Sequence, residues 1–112
     1  MSSNGDTRLN RAERNEKAFK AHNERRAALE DAGGVPKDEP VPFACECDDA
    51  ACARAIELPL GDYEQAVKPV DRFIVVPGHE DLAVEVVVEE HGSYIVVSKP
   101  DLKRRPGAPP GG

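Results

Sequence analysis

The chain has 112 residues, a formal charge of -6 at pH 7, and only 39% hydrophobic and 4% aromatic residues. This length suits one small domain. No apolar run approaches the roughly 20 residues that span a bilayer, and residues 1–10 lack the apolar core of a secretion signal. Three cysteines also cannot form a closed set of disulfide pairs. We therefore expect a cytoplasmic protein, away from membranes, with reduced thiols.

The N-terminal third of the sequence predicts a helix between two irregular segments. Residues 1–7 are small and polar, which is typical of a disordered lead. Residues 8–32 are rich in Ala, Glu, Lys and Arg and contain no Gly or Pro, which predicts a helix. Its apolar stripe is thin, with Leu9, Phe19 and Leu29 as its few large members, so we expect a peripheral helix or one that docks on a partner. The Gly and Pro residues of 33–41 predict the end of the helix and an extended linker.

Residues 42–99 have the pattern of a small β-rich module. Residues 61–67 predict one short helix, capped by Asp62. A helix at 82–90 competes with a strand there, but three consecutive valines favour the strand. Strands are predicted at residues 43–47, 56–60, 72–76, 84–90 and 94–98. The fold class is therefore α+β, an N-terminal helix followed by a β-rich module with one short helix.

Charge is distributed unevenly along the chain. Residues 42–99 hold twelve acidic and four basic residues. Residues 100–112 carry three consecutive basic residues and then mostly Pro and Gly, which predicts a disordered tail. An acidic module repels phosphate backbones, which argues against nucleic-acid binding. A solvated surface is the simplest interpretation of this charge, and a basic protein is the partner that it would suit.

All three cysteines fall within eight residues in the spacing C-x-C-x4-C, at Cys45, Cys47 and Cys52. On an extended chain residues i and i+2 point to the same side, so the first two thiolates can reach one ion. Asp48 and Asp49 favour a turn that returns the third thiolate to the same place. Three thiolates and one further ligand are the donor set of a tetrahedral zinc site.

The spacing leaves the fourth ligand open. His79 is the first choice, because it follows a predicted strand and a Pro-Gly turn that hold the ring at a fixed corner. His91, in the predicted hairpin turn, is the alternative ligand, whereas His22 is expected to be exposed on the helix. Asp48 or a water is the third choice. Glu80 is expected to accept a hydrogen bond from the ring N–H of His79.

The small size of the module gives an independent reason for a metal. A domain of fewer than roughly 70–80 residues seldom gains more than about 3–5 kcal/mol of stability from its core without a cross-link such as a disulfide or a structural metal. A structural zinc contributes about 10–16 kcal/mol of apparent binding free energy to folding. An ion would also offset the negative charge of residues 42–99.

The cysteine run has two local resemblances. Cys45, Cys47 and Cys52 resemble the zinc knuckle of the post-SET segment in histone lysine methyltransferases, which implies the metal spacing and not methyl transfer. Ala53-Arg54-Ala55 stands where that family has Arg-Gly. Three Cys and one His also resemble the ligand set of CDGSH iron–sulfur proteins. In that family the His follows the third Cys closely, whereas 26 residues separate Cys52 from His79 here.

A wider resemblance rests on motifs spread over most of the chain. They are Asn15-Glu16, Phe19, Asn23-Glu24, Phe43-x-Cys45-Glu46-Cys47-x4-Cys52, Ile56-Glu57-Leu58, Tyr63-Glu64, Arg72-Phe73-x-Val75-x-Pro77-Gly78-His79-Glu80 and Tyr94-x-Val96-Val97-x-Lys99. Together they resemble a group of small, uncharacterised actinobacterial-type proteins. This resemblance implies no activity, but it implies that the cysteine run and the Pro-Gly-His-Glu motif belong to one site.

These features predict a small, non-enzymatic zinc protein that acts as a protein-interaction or regulatory module. The alternative is a thiol redox or zinc-release sensor, because closely spaced thiolates lose zinc when they are oxidised. An iron–sulfur protein or a small metalloenzyme has less support. A zinc with four protein ligands keeps no position open for water, and the sequence contains neither a P-loop nor a Ser-His-Asp pattern.

Overall fold

The computed structural model describes residues 4–49 and 51–100, and in the N-terminal helix it describes side chains from Glu16 onward. Residues 1–3 of the predicted lead and residues 101–112 of the predicted tail lie outside the described residues. The described elements are α1 (Asn4–Ala32), β1 (Pro40–Ala44), β2 (Ala55–Pro59), α2 (Leu60–Ala66), β3 (Arg72–Val75), β4 (Val86–Glu90) and β5 (Ile95–Ser98). The predicted α+β fold class is confirmed.

The strands within the described ranges form two small antiparallel sheets. β1 pairs with β2, with Phe43 opposite Ile56. The second sheet has the order β3-β5-β4, so β5 is its central strand. Side chains from both sheets and from α2 form one core, in which the Phe43 and Tyr63 rings stack with centroids 4.1 Å apart. This stack joins the first sheet to the short helix.

Element boundaries differ from the predicted ones in ways that affect the site. β1 ends at Ala44, so Cys45 and Cys47 follow the strand and do not lie in it. Asp62 lies in the first turn of α2, and the N-cap position is Pro59, which has no side-chain cap. The predicted Asp62 cap was therefore wrong, because the helix begins one residue earlier than expected. Residues 82–90, for which a helix competed with a strand in the prediction, contain strand β4, preceded by a turn.

Helix α1 starts at Asn4, four residues before the predicted start, and stops where the glycines predict. The Val35 N–H bonds to the Glu30 carbonyl and the Gly34 N–H bonds to the Asp31 carbonyl. Gly34 has a φ of 87°, which is the left-handed conformation that this C-terminal motif requires. The chain then turns back along the module, and β1 begins at Pro40, inside the predicted linker.

The face that α1 packs on the module is largely polar. Its buried residues recur at helical spacing, at Glu16, Lys20, Asn23 and Ala27, whereas Leu29 is 72% exposed. α1 therefore packs on the module through buried hydrogen-bonding groups that find partners. That Phe19 and Leu29 dock on a separate partner stays a prediction. Lys20 Nζ donates to the carbonyls of residues 69 and 70 and lies 5.0 Å from the centre of the Phe73 ring.

A second polar contact lies one turn earlier on the same face. The Glu16 carboxylate forms an ion pair with Lys99, and both side chains are buried. Glu16 Oε2 meets no donor among the described side chains, and the carboxyl group of the buried Glu85 faces it. Burial and the contact with Glu85 raise the pKa of Glu16 to about 8, although Lys99 opposes the shift. The buried Glu16 carboxyl group therefore ionises at a higher pH than an exposed one, and Lys99 stabilises its charged form.

Neither described helix combines the length and the apolar character that crossing a membrane requires. The long helix, α1, carries charged residues throughout its length.

Candidate metal centre

Cys45 and Cys47 lie on an extended segment that connects the two sheets. The Cys45 N–H bonds to the Arg54 carbonyl on one side, and the Glu46 N–H bonds to the Ile74 carbonyl on the other. These bonds hold the segment against both sheets after β1 has ended. Both cysteine side chains are buried, at 1% and 2% exposure. The segment thus presents two sulfur atoms in a fixed position.

A turn stabilised by Asp49 brings the third cysteine back. The Asp49 side chain accepts a hydrogen bond from the Ala51 N–H at 2.9 Å, and its carbonyl accepts one from the Cys52 N–H at 3.0 Å. Asp residues favour such turns because their short carboxylate reaches the backbone two residues on. Cys52 is half-buried, so this ligand candidate lies at the surface side of the cluster.

A second turn, after β3, carries His79. Its N–H bonds to the Val76 carbonyl at 2.9 Å, and Gly78 has a φ of 96°. Pro at the second position and a left-handed Gly at the third are the residues that a type II turn requires. The Pro77-Gly78 pair therefore holds the imidazole at the end of β3, next to the cysteine segment.

The four predicted ligands, Cys45, Cys47, Cys52 and His79, form one cluster. Their donor atoms all lie within 4.8 Å of one another. His79 Nδ1 lies 3.6 Å from the sulfurs of both Cys45 and Cys52. In a tetrahedral zinc site, bonds of about 2.3 Å to sulfur and about 2.0–2.1 Å to nitrogen place S and N about 3.6 Å apart. The distances from His79 Nδ1 to these two sulfurs therefore fit a tetrahedral ion.

The surroundings of the sulfurs demand a compensating positive charge if the thiols ionise. Burial raises the pKa of Cys45 and that of Cys47, since desolvation penalises a thiolate. The Val76 N–H lies 3.3 Å from Cys45 Sγ and donates to it, which partly offsets this penalty for Cys45. A bound divalent cation would supply the remaining compensation and displace the thiol protons.

The remaining candidate residues lie elsewhere or make other contacts. His91 stacks on Tyr94 with ring centroids 4.5 Å apart, and its Nε2 lies 2.7 Å from the Glu89 carboxylate. It is not among the residues of the cluster. His22 is exposed on α1. Glu80 Oε1 accepts a hydrogen bond from the Gly78 N–H at 2.7 Å, which braces the turn, and its bond to the His79 ring stays a prediction.

Sequence reasoning missed the buried residue between the first two cysteines. Glu46 is fully buried and accepts hydrogen bonds from the Tyr63 hydroxyl at 2.7 Å and the Ile74 N–H at 3.0 Å. Asn23 of α1 also donates to it, at 2.9 Å. Burial raises the pKa of Glu46 to about 7, against the lowering effect of these three donors. A charged residue between two cysteines suggests a solvated position, and only the partners from distant segments reverse that inference.

The arrangement can hold one ion with three sulfur donors and one nitrogen donor, a combination that suits zinc. The described residues within this cluster come from two chain segments, 45–52 and 79, that the sheets bring together. Searches against family models, curated proteins and solved structures return no match to the chain.

Proposed function

We propose that the protein binds one zinc ion through Cys45, Cys47, Cys52 and His79, and that this ion is structural. The observation that carries the proposal is the convergence of four donor atoms within 4.8 Å of one another. The spacing of 3.6 Å between the His79 nitrogen and two of the sulfurs supports a tetrahedral ion. A ligand set of this kind ties β1, the following loop and β3 together.

We further propose that the zinc-stapled module is non-enzymatic and acts in protein interaction or regulation. Four protein ligands leave no open coordination position for water or a substrate. The module has exposed carboxylates, as on Glu57, Glu89 and Glu90. Such a surface suits a basic protein partner, whose encounter it would accelerate at low ionic strength. An oligolysine peptide is the simplest probe, and we expect salt-sensitive binding of it and none of oligoglutamate.

Native mass spectrometry of the full chain tests the metal assignment. We expect one zinc mass per chain in the wild type, which His79→Ala loses and the matched variant His91→Ala retains. His91 is the suitable control because it is exposed and paired with Glu89 away from the cluster. Wild-type protein that carries no zinc after incubation with it would refute the proposal. Retention of zinc by His79→Ala would remove His79 from the ligand set.

Thiol redox or zinc-release sensing is the second candidate, and the exposure of Cys52 favours it. Cys52 is half-buried whereas Cys45 and Cys47 are buried, so a peroxide would reach Cys52 first. Two thiolates would lose two electrons and form one disulfide, the peroxide would be reduced to two hydroxide ions, and zinc would leave. Micromolar peroxide should then release zinc to a chromophoric indicator, and a dithiol reductant should restore binding. Zinc retention until the chain is irreversibly oxidised would exclude a sensor.

A further inference from the structure

Glu46 connects the cysteine segment to three different elements of the fold. It lies between Cys45 and Cys47, with its side chain directed away from the sulfur cluster toward α1, α2 and β3. Its own N–H bonds to the Ile74 carbonyl at 2.8 Å, while its carboxylate accepts the Ile74 N–H. Any rotation or shift of the segment that moves the sulfurs must also break these contacts.

Asn23 extends this connection to the N-terminal helix. Its amide oxygen accepts the Ala44 N–H at 2.9 Å, and its amide nitrogen donates to the Ala44 carbonyl at 2.8 Å. The same nitrogen donates to Glu46 Oε2 at 2.9 Å. The side chain therefore pairs with the backbone of β1 as a neighbouring strand would, immediately before Cys45. It is fully buried, so water does not replace these bonds while the helix is docked.

We propose that Asn23 and Glu46 are positioning residues of the metal centre, and that ion binding and the docking of α1 are thereby coupled. This inference rests on the proposed zinc site. With α1 docked, the segment that carries two sulfurs is held by bonds on both sides. Without α1, Ala44 and Glu46 lose their three hydrogen bonds with Asn23, and fewer bonds then hold the segment in the geometry that the ion requires.

The coupling must act in both directions. If docking of the helix strengthens zinc binding by some factor, zinc binding strengthens docking by the same factor. Removal of the ion should therefore loosen α1 along its buried face, at Glu16, Lys20, Asn23 and Ala27. Zinc then controls whether a long polar helix is held on the module or exposed to solvent.

The test compares two helix variants of the full chain by zinc competition against a chromophoric chelator. Asn23→Ala removes the three bonds to the ligand segment. Ala27→Gly is the matched control, because it weakens the helix one turn away on the same buried face without removing a polar contact to that segment. The visible spectrum of the cobalt-substituted proteins reports the geometry of the ligands. Amide hydrogen exchange of the wild type, with and without zinc, reports docking of α1.

We expect one zinc per chain in both variants, with zinc affinity lowered about 10–100-fold in Asn23→Ala, the range for residues that orient metal ligands. The cobalt bands should shift in Asn23→Ala and not in Ala27→Gly, and zinc should slow exchange in α1. Equal zinc affinities of Asn23→Ala and Ala27→Gly, once their melting temperatures are taken into account, would overturn the coupling but leave the zinc site intact. Hydrogen exchange in α1 at the same rate with and without zinc would do the same. Absence of zinc in every protein would instead refute the proposed function.

A second variant keeps the test decisive if Asn23→Ala does not fold. Asn23→Asp has the same shape and still accepts the Ala44 N–H, but it loses the two bonds that the amide nitrogen donates. The expected weakening of zinc binding and shift of the cobalt bands are the same in direction. Wild-type affinity in Asn23→Asp would overturn the proposal.

Discussion

The sulfur cluster and the Glu16–Lys99 contact are two buried polar regions that are stabilised in different ways. In the cluster, three cysteines lie within eight residues and a histidine joins them. In the other region, a carboxylate and an ammonium group 83 residues apart meet beside Glu85. The first region consists of side chains that are typical metal ligands, whereas the second contains its own cation, the Lys99 ammonium group. The comparison teaches that buried polar groups can be of a type that a bound ion would neutralise, or can be neutralised by another group of the chain. Of these two regions, only the sulfur cluster has a spacing along the sequence that can be recognised.

The largest expected effect comes from breaking the sulfur cluster. Cys47→Ser removes a buried ligand, and we expect the protein to lose most of the zinc contribution to folding, which is about 10–16 kcal/mol in apparent terms for structural sites. Chelation of the wild type should produce the same loss of melting temperature. Thermal unfolding monitored by circular dichroism measures both. Added zinc should restore the chelated wild type and not the variant, and an unchanged melting curve in Cys47→Ser would contradict a structural ion.

Removal of the internal cation should have the next largest effect. Lys99→Met leaves the buried Glu16 carboxylate without its ammonium partner, and breaking a buried ion pair costs about 3–5 kcal/mol. Urea unfolding of the zinc-loaded protein measures this loss. Lys68→Met is the control, because Lys68 is exposed and should change the free energy of unfolding by less than about 0.5 kcal/mol. If both variants unfold at the same urea concentration, Lys99 does not compensate the buried carboxyl groups.

The smallest expected effect is a pH dependence that belongs to the second region. Because burial raises the folded-state pKa of Glu16 to about 8, the folded chain keeps a proton that the unfolded chain releases near pH 4.5. The free energy of unfolding therefore falls as pH rises between these values. Glu16→Gln stays neutral, so its stability relative to the wild type should increase from about pH 5 to about pH 8.

Urea unfolding of the zinc-loaded proteins across this pH range measures the difference in stability between Glu16→Gln and the wild type. The effect of pH on the zinc site is common to both proteins and cancels in this difference. Glu57→Gln, which alters an exposed carboxyl group on β2, should show no such trend. A constant difference between Glu16→Gln and the wild type would mean that Glu16 is ionised in the folded protein.

The sequence predicted the parts of the fold that depend on neighbouring residues. The valine runs predict strands β4 and β5 because β-branched residues favour extended chain locally, and Gly34 predicts the end of α1 because only left-handed backbone fits there. The Cys45–Cys52 spacing predicts a metal cluster because its three cysteines are close together in the sequence. Each of these signals lies within about ten residues, whereas the fourth ligand candidate, His79, joins the cysteines only in the folded chain.

The docking of α1 could not be predicted in this way. Its contact face consists of Glu16, Lys20 and Asn23, which a periodicity of apolar residues does not reveal. These side chains are buried because their partners come from residues 44–46, 69–70 and 99. Burial of a polar group depends on such distant partners, and a single sequence does not say which of them meet.

Zinc K-edge X-ray absorption of the purified, zinc-loaded protein tests the central claim most directly. The account predicts a first shell of three sulfur atoms at about 2.3 Å and one nitrogen atom at about 2.0–2.1 Å. A first shell made only of nitrogen and oxygen, or a protein that retains no zinc to measure, would contradict it.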